Sequence, residues 1–279
     1  MTDNLSPPAP TPPFNRLLLT GAAGGLGRVL RPRLAAWCRT LRVSDNAPLD
    51  DAAPLEELQP AALQDADAMH ALLAGVDAVV HLGGVSTEQP WAPILQANII
   101  GLYNLYEAAR QQRVKRLVLA SSNHVTGFYR QDQVIDAAAP PRPDGLYGVS
   151  KAFGENLSRM YFDRHGIETV CLRIGSCTAA PQDRRMLATW LSHDDLERLV
   201  IAALSAPLVG HTVVFGMSDN AQSFWDNRLA RHIGYRPQDR SDDHRAAVMA
   251  AQPTWLDSGD AAVQFQGGAF VRLGPFERD

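Results

Sequence analysis

Short apolar runs alternate with helical patterns along most of this chain. Runs of five or six mainly apolar residues predict buried strands at 16–20, 41–45, 77–82, 116–120 and 169–174. Between them, apolar residues recur three and four positions apart, which predicts helices at 25–37, 67–74, 91–111 and 147–165. Pro32 lies inside the first helix and either bends or shortens it. Strands that are apolar on both faces and alternate with helices predict a Rossmann-like α/β fold, a doubly wound parallel sheet.

The pattern weakens after residue 174. A helix over 194–205, a strand over 211–217 and a helix over 224–233 are expected there. We interpret 14–279 as one domain, in which 14–176 mainly bind cofactor and carry the chemistry, and 177–279 form a small substrate-binding portion. Residues 1–13 hold five of the 19 prolines and almost no large apolar residue, so they predict a disordered tail.

Composition narrows the class of protein. The 279 residues carry 26 Lys and Arg against 30 Asp and Glu, a net charge of −4 without a basic cluster, which argues against nucleic acid as a partner. No apolar run approaches the roughly 20 residues that span a membrane. The three cysteines show no CxxC spacing, so neither a disulfide framework nor a bound metal is expected. These features favour a soluble, cytoplasmic enzyme.

A glycine-rich turn follows the first predicted strand. Residues 20–27 read TGAAGGLG, with Gly21, Gly24 and Gly27 at GxxGxxG spacing and Gly25 and Leu26 between them. Glycines allow a tight turn and a close approach of backbone to pyrophosphate, and the following helix directs free N–H groups at the anion. The position at the first strand–helix junction predicts a dinucleotide site.

Asp45 ends the second predicted strand, 18 residues after Gly27. An acid near this distance accepts hydrogen bonds from the adenosine ribose of NAD and repels the extra phosphate of NADP. Aspartate is also well suited to a simple turn, and the nearby Arg42 weakens the argument for NAD. NAD is the preferred cofactor on this evidence.

Tyr147 and Lys151 lie at i and i+4 of a predicted helix, so they project from one face. A phenol has an ordinary pKa of about 10, and a neighbouring ammonium favours the phenolate that a general base requires. Ser122 follows the strand at 116–120, where its hydroxyl can hold the same substrate oxygen. With a dinucleotide turn upstream, these three residues predict a catalytic set for hydride transfer.

At these residues the chain resembles the extended short-chain dehydrogenase/reductase superfamily, and within it the uronate dehydrogenases. The superfamily features are the turn at 20–27, HLGG at 81–84, Asn98, Ser122 and the Tyr147/Lys151 pair. The closer resemblance rests on SSNH at 121–124, RPDGLYGVSK at 142–151, RIGSCT at 173–178 and FQGG at 265–268.

The resemblance implies NAD-linked oxidation of a cyclic hexuronate, glucuronate or galacturonate, at C1 to an aldarolactone, with Tyr147 as base. Besides the turn glycines and Asp45, it implies a cofactor site that includes Leu63, Leu82, Gly83, Gly84, Asn98, Tyr147, Lys151 and Ile174. It implies a substrate site of Ser86, Ser122, Asn123, His124, Tyr147, Ser176, Arg185 and Phe265, in which Arg185 rather than Arg184 grips the carboxylate. His124 and Phe265 are each almost as readily explained by packing.

One residue departs from the family pattern. The aspartate that contacts adenine is replaced by Ala62, and Asp65 lies three residues further on. Loss of one hydrogen bond, worth about 1 kcal/mol, would weaken NAD binding several-fold unless Asp65 replaces it.

Two other functions remain open: a nucleotide-sugar epimerase or other extended dehydrogenase, and a non-catalytic dinucleotide sensor. The short portion after residue 174 favours a small substrate, and the complete catalytic set argues against a sensor. The resemblance also suggests a homo-oligomer. It does not decide between glucuronate and galacturonate.

Overall fold

The computed structural model describes residues 12–252 and 259–274. The strands are β1 (Phe14–Thr20), β2 (Cys38–Ser44), β3 (Glu56–Leu58), β4 (Ala78–His81), β5 (Arg116–Ser122), β6 (Ile135–Asp136), β7 (Glu168–Ile174), β8 (Ser176–Cys177), β9 (Trp190–Leu191), β10 (His211–Gly216) and β11 (Trp225–Asp226). The helices are α1 (Gly25–Leu34), α2 (Ala66–Leu72), α3 (Trp91–Ile94), α4 (Gly101–Gln111), α5 (Leu146–His165), α6 (Met186–Thr189), α7 (His193–Ser205), α8 (Arg245–Ala251) and α9 (Ala261–Gln264).

Seven of these strands form one parallel sheet in the order β10-β7-β5-β4-β1-β2-β3. The chain winds outward from β1 to β3 and then returns to place β4 on the other side of β1. This change of direction leaves a crevice at the carboxyl ends of β1 and β4, which is where such sheets bind ligands. The predicted doubly wound α/β fold is confirmed.

Helices cover both faces of the sheet, as the continuous apolar strands require. In β1, Leu17, Leu18 and Leu19 are all fully buried. Leu17 and Leu19 pack with the apolar sides of α1 and α7, whereas Leu18 packs with α2, α4 and α5. Alternate residues of one strand therefore enter two separate cores, which explains why the strand has no polar face.

The observed elements differ from the predicted ones in several places. Helix α1 passes through Pro32 and ends at Leu34, and a 3₁₀ turn follows at Ala35–Trp37. The predicted helix at 91–111 contains a π-helical segment, Leu95–Ile100. The prediction missed β3, a three-residue edge strand within a stretch rich in Pro and Asp. The helix predicted over 224–233 was wrong: its residues form β11 and a 3₁₀ turn, Arg228–Ile233.

The C-terminal portion is built into the same sheet. Strand β10 pairs with β7 at one edge, while the two short ribbons β8–β9 and β6–β11 are separate pairs. Residue 176 therefore does not separate two structural units, because strand β10 from the later portion forms an edge of the sheet built by the earlier portion. Of the tail predicted over 1–13, residues 1–11 lie outside the described residues.

Two further findings hold for the residues that the structure describes. None of their helices is both long and apolar enough to cross a membrane. They also contain no group of three or more His, Cys, Asp or Glu side chains arranged to hold a metal ion.

A buried ion pair joins α5 to strand β7 of the sheet. Arg173 on β7 donates from Nε and Nη2 to the two oxygens of Glu155 on α5, at 2.9 and 2.8 Å. Ser121 on β5 donates to the same carboxylate at 2.7 Å. The two charged side chains are 3% and 8% exposed, so each depends on the other for its compensating charge.

Removal of one partner should therefore be costly. We expect Glu155→Ala to lower the free energy of unfolding by about 3–5 kcal/mol, because it leaves the Arg173 guanidinium buried without a counter-charge. The joint substitution Glu155→Leu with Arg173→Met should recover most of that loss. Urea denaturation followed by circular dichroism measures both.

Asp163→Ala provides the control, since Asp163 pairs with Arg159 on the exposed end of the same helix. It should change stability little. Equal losses for Glu155→Ala and Asp163→Ala would contradict the importance of the buried pair.

Candidate active site

A cleft of about 890 Å³ opens along the carboxyl edge of the sheet and extends to the C-terminal segment. It is lined by every residue predicted to contact cofactor or substrate except Asn98 and Phe265. These side chains come from β-strand ends and helix starts that are far apart in the chain. The fold thus brings the predicted dinucleotide turn and the predicted catalytic residues into one continuous space.

The glycine-rich turn is closely packed on one side and open on the other. Gly21 has φ +72°, and a Cβ there would lie 2.6 Å from the backbone nitrogen of Gly83. A Cβ on Gly27 would lie 2.0 Å from the carbonyl oxygen of Gly21. Nothing lies within 4 Å of a Cβ placed on Gly25, and no side chain caps the start of α1. The backbone N–H groups at the start of α1 therefore face the cleft, as a pyrophosphate site needs.

Asp45 lies beside this turn. Its Oδ2 accepts from the backbone N–H of Ala23 and its Oδ1 from that of Ala47, both at 3.0 Å. Thus Asp45 serves as a turn residue and also lines the cleft, so the two interpretations of the sequence are compatible.

Arg42 is directed away from the cleft. It pairs with Glu57 and donates from Nη1 to the carbonyl oxygens of Leu72 and Ala74, at the end of α2. It therefore does not provide a cationic site for the extra phosphate of NADP. The reservation that the sequence raised about NAD preference has no structural support.

The loop that departs from the family pattern does not use Asp65 at the cleft. The Asp65 carboxylate accepts from the backbone N–H of Ala68 at 2.9 Å and so caps α2. The cleft is lined there by Ala61, Leu63 and Gln64. The sequence left open whether Asp65 takes the place of the missing aspartate. In the structure Asp65 does not line the cleft, so it does not take that place.

Asn98 lies behind the cleft rather than in it. Its amide accepts from the Val85 backbone N–H at 2.8 Å and donates to the Val85 carbonyl at 3.0 Å and to the Ser150 hydroxyl at 2.9 Å. Asn98 is thus not among the residues that line the cleft, and its predicted contact with the cofactor stays a prediction. Its amide holds the loop after β4 against α5, because it bonds to the Val85 backbone on the loop and to the Ser150 hydroxyl on the helix.

Tyr147, Lys151 and Ser122 meet at the middle of the cleft. The Lys151 ammonium lies 5.5 Å from the centroid of the Tyr147 ring and donates to the carbonyl oxygen of Ala120 at 2.9 Å. Ser122 closes β5, and its hydroxyl accepts from the backbone N–H of His124. Helix α5 therefore presents the phenol and the ammonium on one face, toward the end of β5.

Burial shifts the proton affinities of both α5 groups. It raises the pKa of the Tyr147 phenol to about 12, with the Ser122 hydroxyl opposing part of the rise. It lowers the pKa of the Lys151 ammonium to about 8. Without a ligand both groups are driven toward their neutral forms. A positive charge brought to the phenol would reverse this and favour the phenolate.

Arg185 lines the cleft on the side of the C-terminal segment, beyond the predicted catalytic residues. It donates from Nε to the Gln266 carbonyl oxygen at 2.8 Å and from Nη1 to the Ser176 hydroxyl at 3.3 Å. The Asn123 amide, oriented to donate to the Ile174 carbonyl, accepts from Arg185 Nη2 at 3.0 Å. All three partners are neutral oxygen atoms.

Burial also lowers the pKa of Arg185, although Asp183 and Asp144 oppose this from a distance. No carboxylate of the described residues forms an ion pair with it. Arg184, its neighbour, instead donates from Nε to the Gln252 carbonyl oxygen, away from this cluster. The choice of Arg185 over Arg184 at the cleft therefore has structural support.

His124 is held in a fixed orientation beside the phenol. Its Nδ1 lies 2.7 Å from an oxygen of the buried Asp144, and its ring stacks on Phe270 at 3.7 Å between centroids. Its ring meets that of Tyr147 edge-on at 5.9 Å. The sequence did not single out Asp144 or Phe270. Asp144 lies within the motif at 142–151, whereas Phe270 lies outside every motif and no sequence pattern points to it.

Phe265 occupies a different place from the predicted one. Its ring packs against Phe128 at 5.5 Å, and its backbone pairs with that of Arg130. The aromatic residue that walls the cleft is Phe270, five positions later. Phe265 is thus not among the residues that line the cleft, and its predicted contact with the substrate stays a prediction.

The fully buried Gln266 fixes that turn. Its side-chain amide accepts from the Trp225 indole N–H at 3.0 Å and donates to the carbonyl oxygens of Arg130 and Gln133. Its own carbonyl oxygen receives the Arg185 bond described above. One residue therefore links the C-terminal segment, the loop after β5 and the guanidinium.

Comparison with known proteins agrees with this geometry. Residues 17–204 match the NAD dependent epimerase/dehydratase family. A curated uronate dehydrogenase of Pseudomonas putida is 55% identical over 267 residues, which cover 95% of this chain and 99% of that protein.

Two solved structures are similar over their whole length. The uronate dehydrogenase of Agrobacterium tumefaciens has a TM-score of 0.92 and 52% identity, covering 95% of this chain and 99% of that one. A single-residue variant of that enzyme in complex with NAD has a TM-score of 0.92 and 51% identity, covering 95% and 100%. The resemblance drawn from the sequence motifs is confirmed.

Proposed function

The chain belongs to the NAD dependent epimerase/dehydratase family, and from this premise we propose that it is a uronate dehydrogenase. The proposed reaction is the NAD-dependent oxidation of a cyclic hexuronate at C1 to an aldarolactone. Relatives of that activity align with nearly all of this chain, and the residues predicted to carry out the reaction line one cleft, which supports the proposal.

The observation that carries the substrate class is the Arg185 guanidinium, whose hydrogen-bond partners among the described residues are all neutral oxygen atoms. A half-buried guanidinium surrounded by neutral oxygens is poorly compensated, and a ligand carboxylate would supply the missing charge. Its planar fork can donate two parallel hydrogen bonds to such a group. The Asn123 and Ser176 contacts hold the fork in place before substrate arrives.

The residues around the crevice suit the dinucleotide. The start of α1 would bind the pyrophosphate, and the Asp45 carboxylate would accept from the adenosine ribose. The absence of a Cβ at Gly25 leaves room for the close approach. When bound, NAD supplies the hydride acceptor for C1 and a positive charge near the phenol.

The chain's own residues would then orient the C1 hydroxyl and remove its proton. Ser122 orients that hydroxyl, and the Tyr147 phenolate takes its proton as the hydride leaves. Lys151 stabilises the phenolate through its charge, 5.5 Å from the ring. His124, fixed by Asp144, and Ser86 offer hydrogen bonds to the other sugar hydroxyls.

The shape of the cleft favours a small sugar acid over a nucleotide-linked sugar. The segment at 267–270 lies against the substrate end, with Phe270 stacked on His124 and its ring 6.3 Å from that of Tyr147. A nucleotide attached to the sugar would have to displace this segment. The epimerase alternative is correspondingly less well supported, and a sensor has no need of the catalytic set.

We also propose that the protein is a cytoplasmic homo-oligomer. Helices α4 and α5 pack together, and large apolar side chains at least one-third exposed lie on these helices and the segment before them: Trp91, Ile100, Tyr103, Leu146, Val149 and Met160. A second copy of the chain would cover such side chains. All three cysteines are free thiols, which suits a reducing compartment.

Mixing the protein with NAD and either galacturonate or glucuronate should generate NADH. Absorbance at the NADH wavelength measures it, and galactose with NAD is the control that lacks a carboxylate. Absence of NADH with both acids would overturn the proposed function.

Arg185→Ala should raise the KM for the uronate about 30-fold or more. The variant loses charge-assisted hydrogen bonds worth about 1.5–3 kcal/mol each, while the KM for NAD should stay the same. Arg184→Ala is the matched control, because that side chain bonds to Gln252 outside the cluster. If both variants raise the KM equally, Arg185 is not the carboxylate ligand.

Tyr147→Phe should lower kcat by about 10²–10⁴-fold while NAD still binds.

Lys151→Met should move the rising limb of the kcat–pH profile to higher pH. Without the cation, the phenolate is less favoured and its pKa is higher. A steady-state pH series measures the shift. An unmoved limb would show that Lys151 does not tune Tyr147.

A further inference from the structure

Helix α5 carries the proposed base in its first turn but has no cap of its own. Gly145 precedes the helix and offers no side chain, and the first turn contains no acidic residue. The first N–H groups of a helix lack partners within the helix and must find them elsewhere. The position of Tyr147 therefore depends on what binds the start of α5.

Glu88 supplies those partners from 58 residues upstream. Its Oε1 accepts from the backbone N–H of Leu146 at 2.9 Å, and its Oε2 accepts from that of Tyr147 at 2.8 Å. Glu88 is 7% exposed, so these bonds are shielded from water. A negative charge at a helix start is also favoured by the helix dipole.

This contact explains why residue 145 is a glycine. Its φ is −173°, an extended conformation open to any residue, so conformational strain does not explain the glycine. A Cβ at this position would lie 2.4 Å from Oε2 of Glu88 and 2.9 Å from its Oε1. The missing side chain makes room for the carboxylate.

Glu88 also belongs to the loop that carries Ser86. That loop is attached to α5 at two points: Asn98 joins Val85 to Ser150, and Glu88 joins the loop to the first turn. The proposed substrate contact at Ser86 and the proposed base at Tyr147 are thereby held as one unit.

We propose that Glu88 is a positioning residue for the oxidation: its carboxylate places the start of α5, and with it the Tyr147 phenol, relative to the loop bearing Ser86. Glu88 does not touch the reacting atoms. This inference rests on the proposed function, because it assigns the Tyr147 phenol the part of base. A displacement of about 1 Å between reacting groups costs about 10²-fold in rate, so loss of this contact should appear in kcat.

Two variants break the contact from opposite sides. Glu88→Gln keeps the shape but presents an NH₂ group to one of the two N–H donors. Gly145→Ala keeps the carboxylate and pushes it away with a methyl group. Each should lower kcat at least about ten-fold and leave the KM for NAD within about two-fold. Because both act on one contact, the double variant should be little slower than the slower single variant.

Asp163→Asn is the matched control, since it removes an exposed carboxylate at the other end of the same helix. It should leave kcat and both KM values unchanged. A merely stabilising role for Glu88 would lower the melting temperature of Glu88→Gln without changing kcat of the folded enzyme, and that result would overturn the proposal. Multiplicative effects of the two substitutions would overturn it as well.

Hydrogen exchange followed by mass spectrometry separates this proposal from the proposed function. In Glu88→Gln, the amides of residues 145–150 should exchange faster than in the wild type, whatever the substrate is. An inactive wild type with faster exchange in the variant would overturn the uronate assignment alone. Unchanged exchange would overturn the positioning role of Glu88.

Discussion

Glu155 on α5 and Arg173 on β7 form a buried ion pair below the cleft, and Ser121 on β5 donates to the same carboxylate. These three elements also carry the site: α5 holds Tyr147 and Lys151, β5 ends at Ser122, and β7 ends at Ile174. Breaking the pair would leave a charge in the interior, so the three elements cannot shift independently without a large cost. The relative placement of phenol, ammonium and serine hydroxyl follows from that constraint.

A second arginine shows the opposite arrangement. Arg173 is compensated by a carboxylate within the protein, whereas Arg185 has only neutral oxygen partners among the described residues. The first guanidinium stabilises the fold, and the second is suited to a ligand anion. This contrast is why a sugar acid fits the proposed function better than a neutral sugar.

Several interactions that shape the site join residues that are far apart in sequence. Glu88 reaches the start of α5 across 58 residues, and Gln266 meets Arg185 across 81. Both cases satisfy backbone groups that would otherwise be buried without a partner. The loops over the sheet are therefore held by polar contacts to specific backbone atoms, and only in part by apolar packing.

The main strands, the glycine-rich turn and the Tyr147/Lys151 pair could be predicted from the sequence because each depends on local spacing. Strand β3 and the non-helical backbone at Trp225–Asp226 could not, since pairing with a distant strand decided them. The same is true of single side chains: Arg42 turns to α2, Asp65 caps a helix, and Asn98 lies behind the cleft.

The sequence by itself determined the main strands and helices up to residue 174, the dinucleotide turn and the chemistry available at the strand ends, because periodicity and spacing encode them directly. Tertiary structure decided that Phe270 rather than Phe265 walls the cleft, that Arg185 bonds only to neutral oxygens among the described residues, and that Glu88 caps α5. These depend on which distant backbone groups come together in the folded chain. No local pattern carries that information.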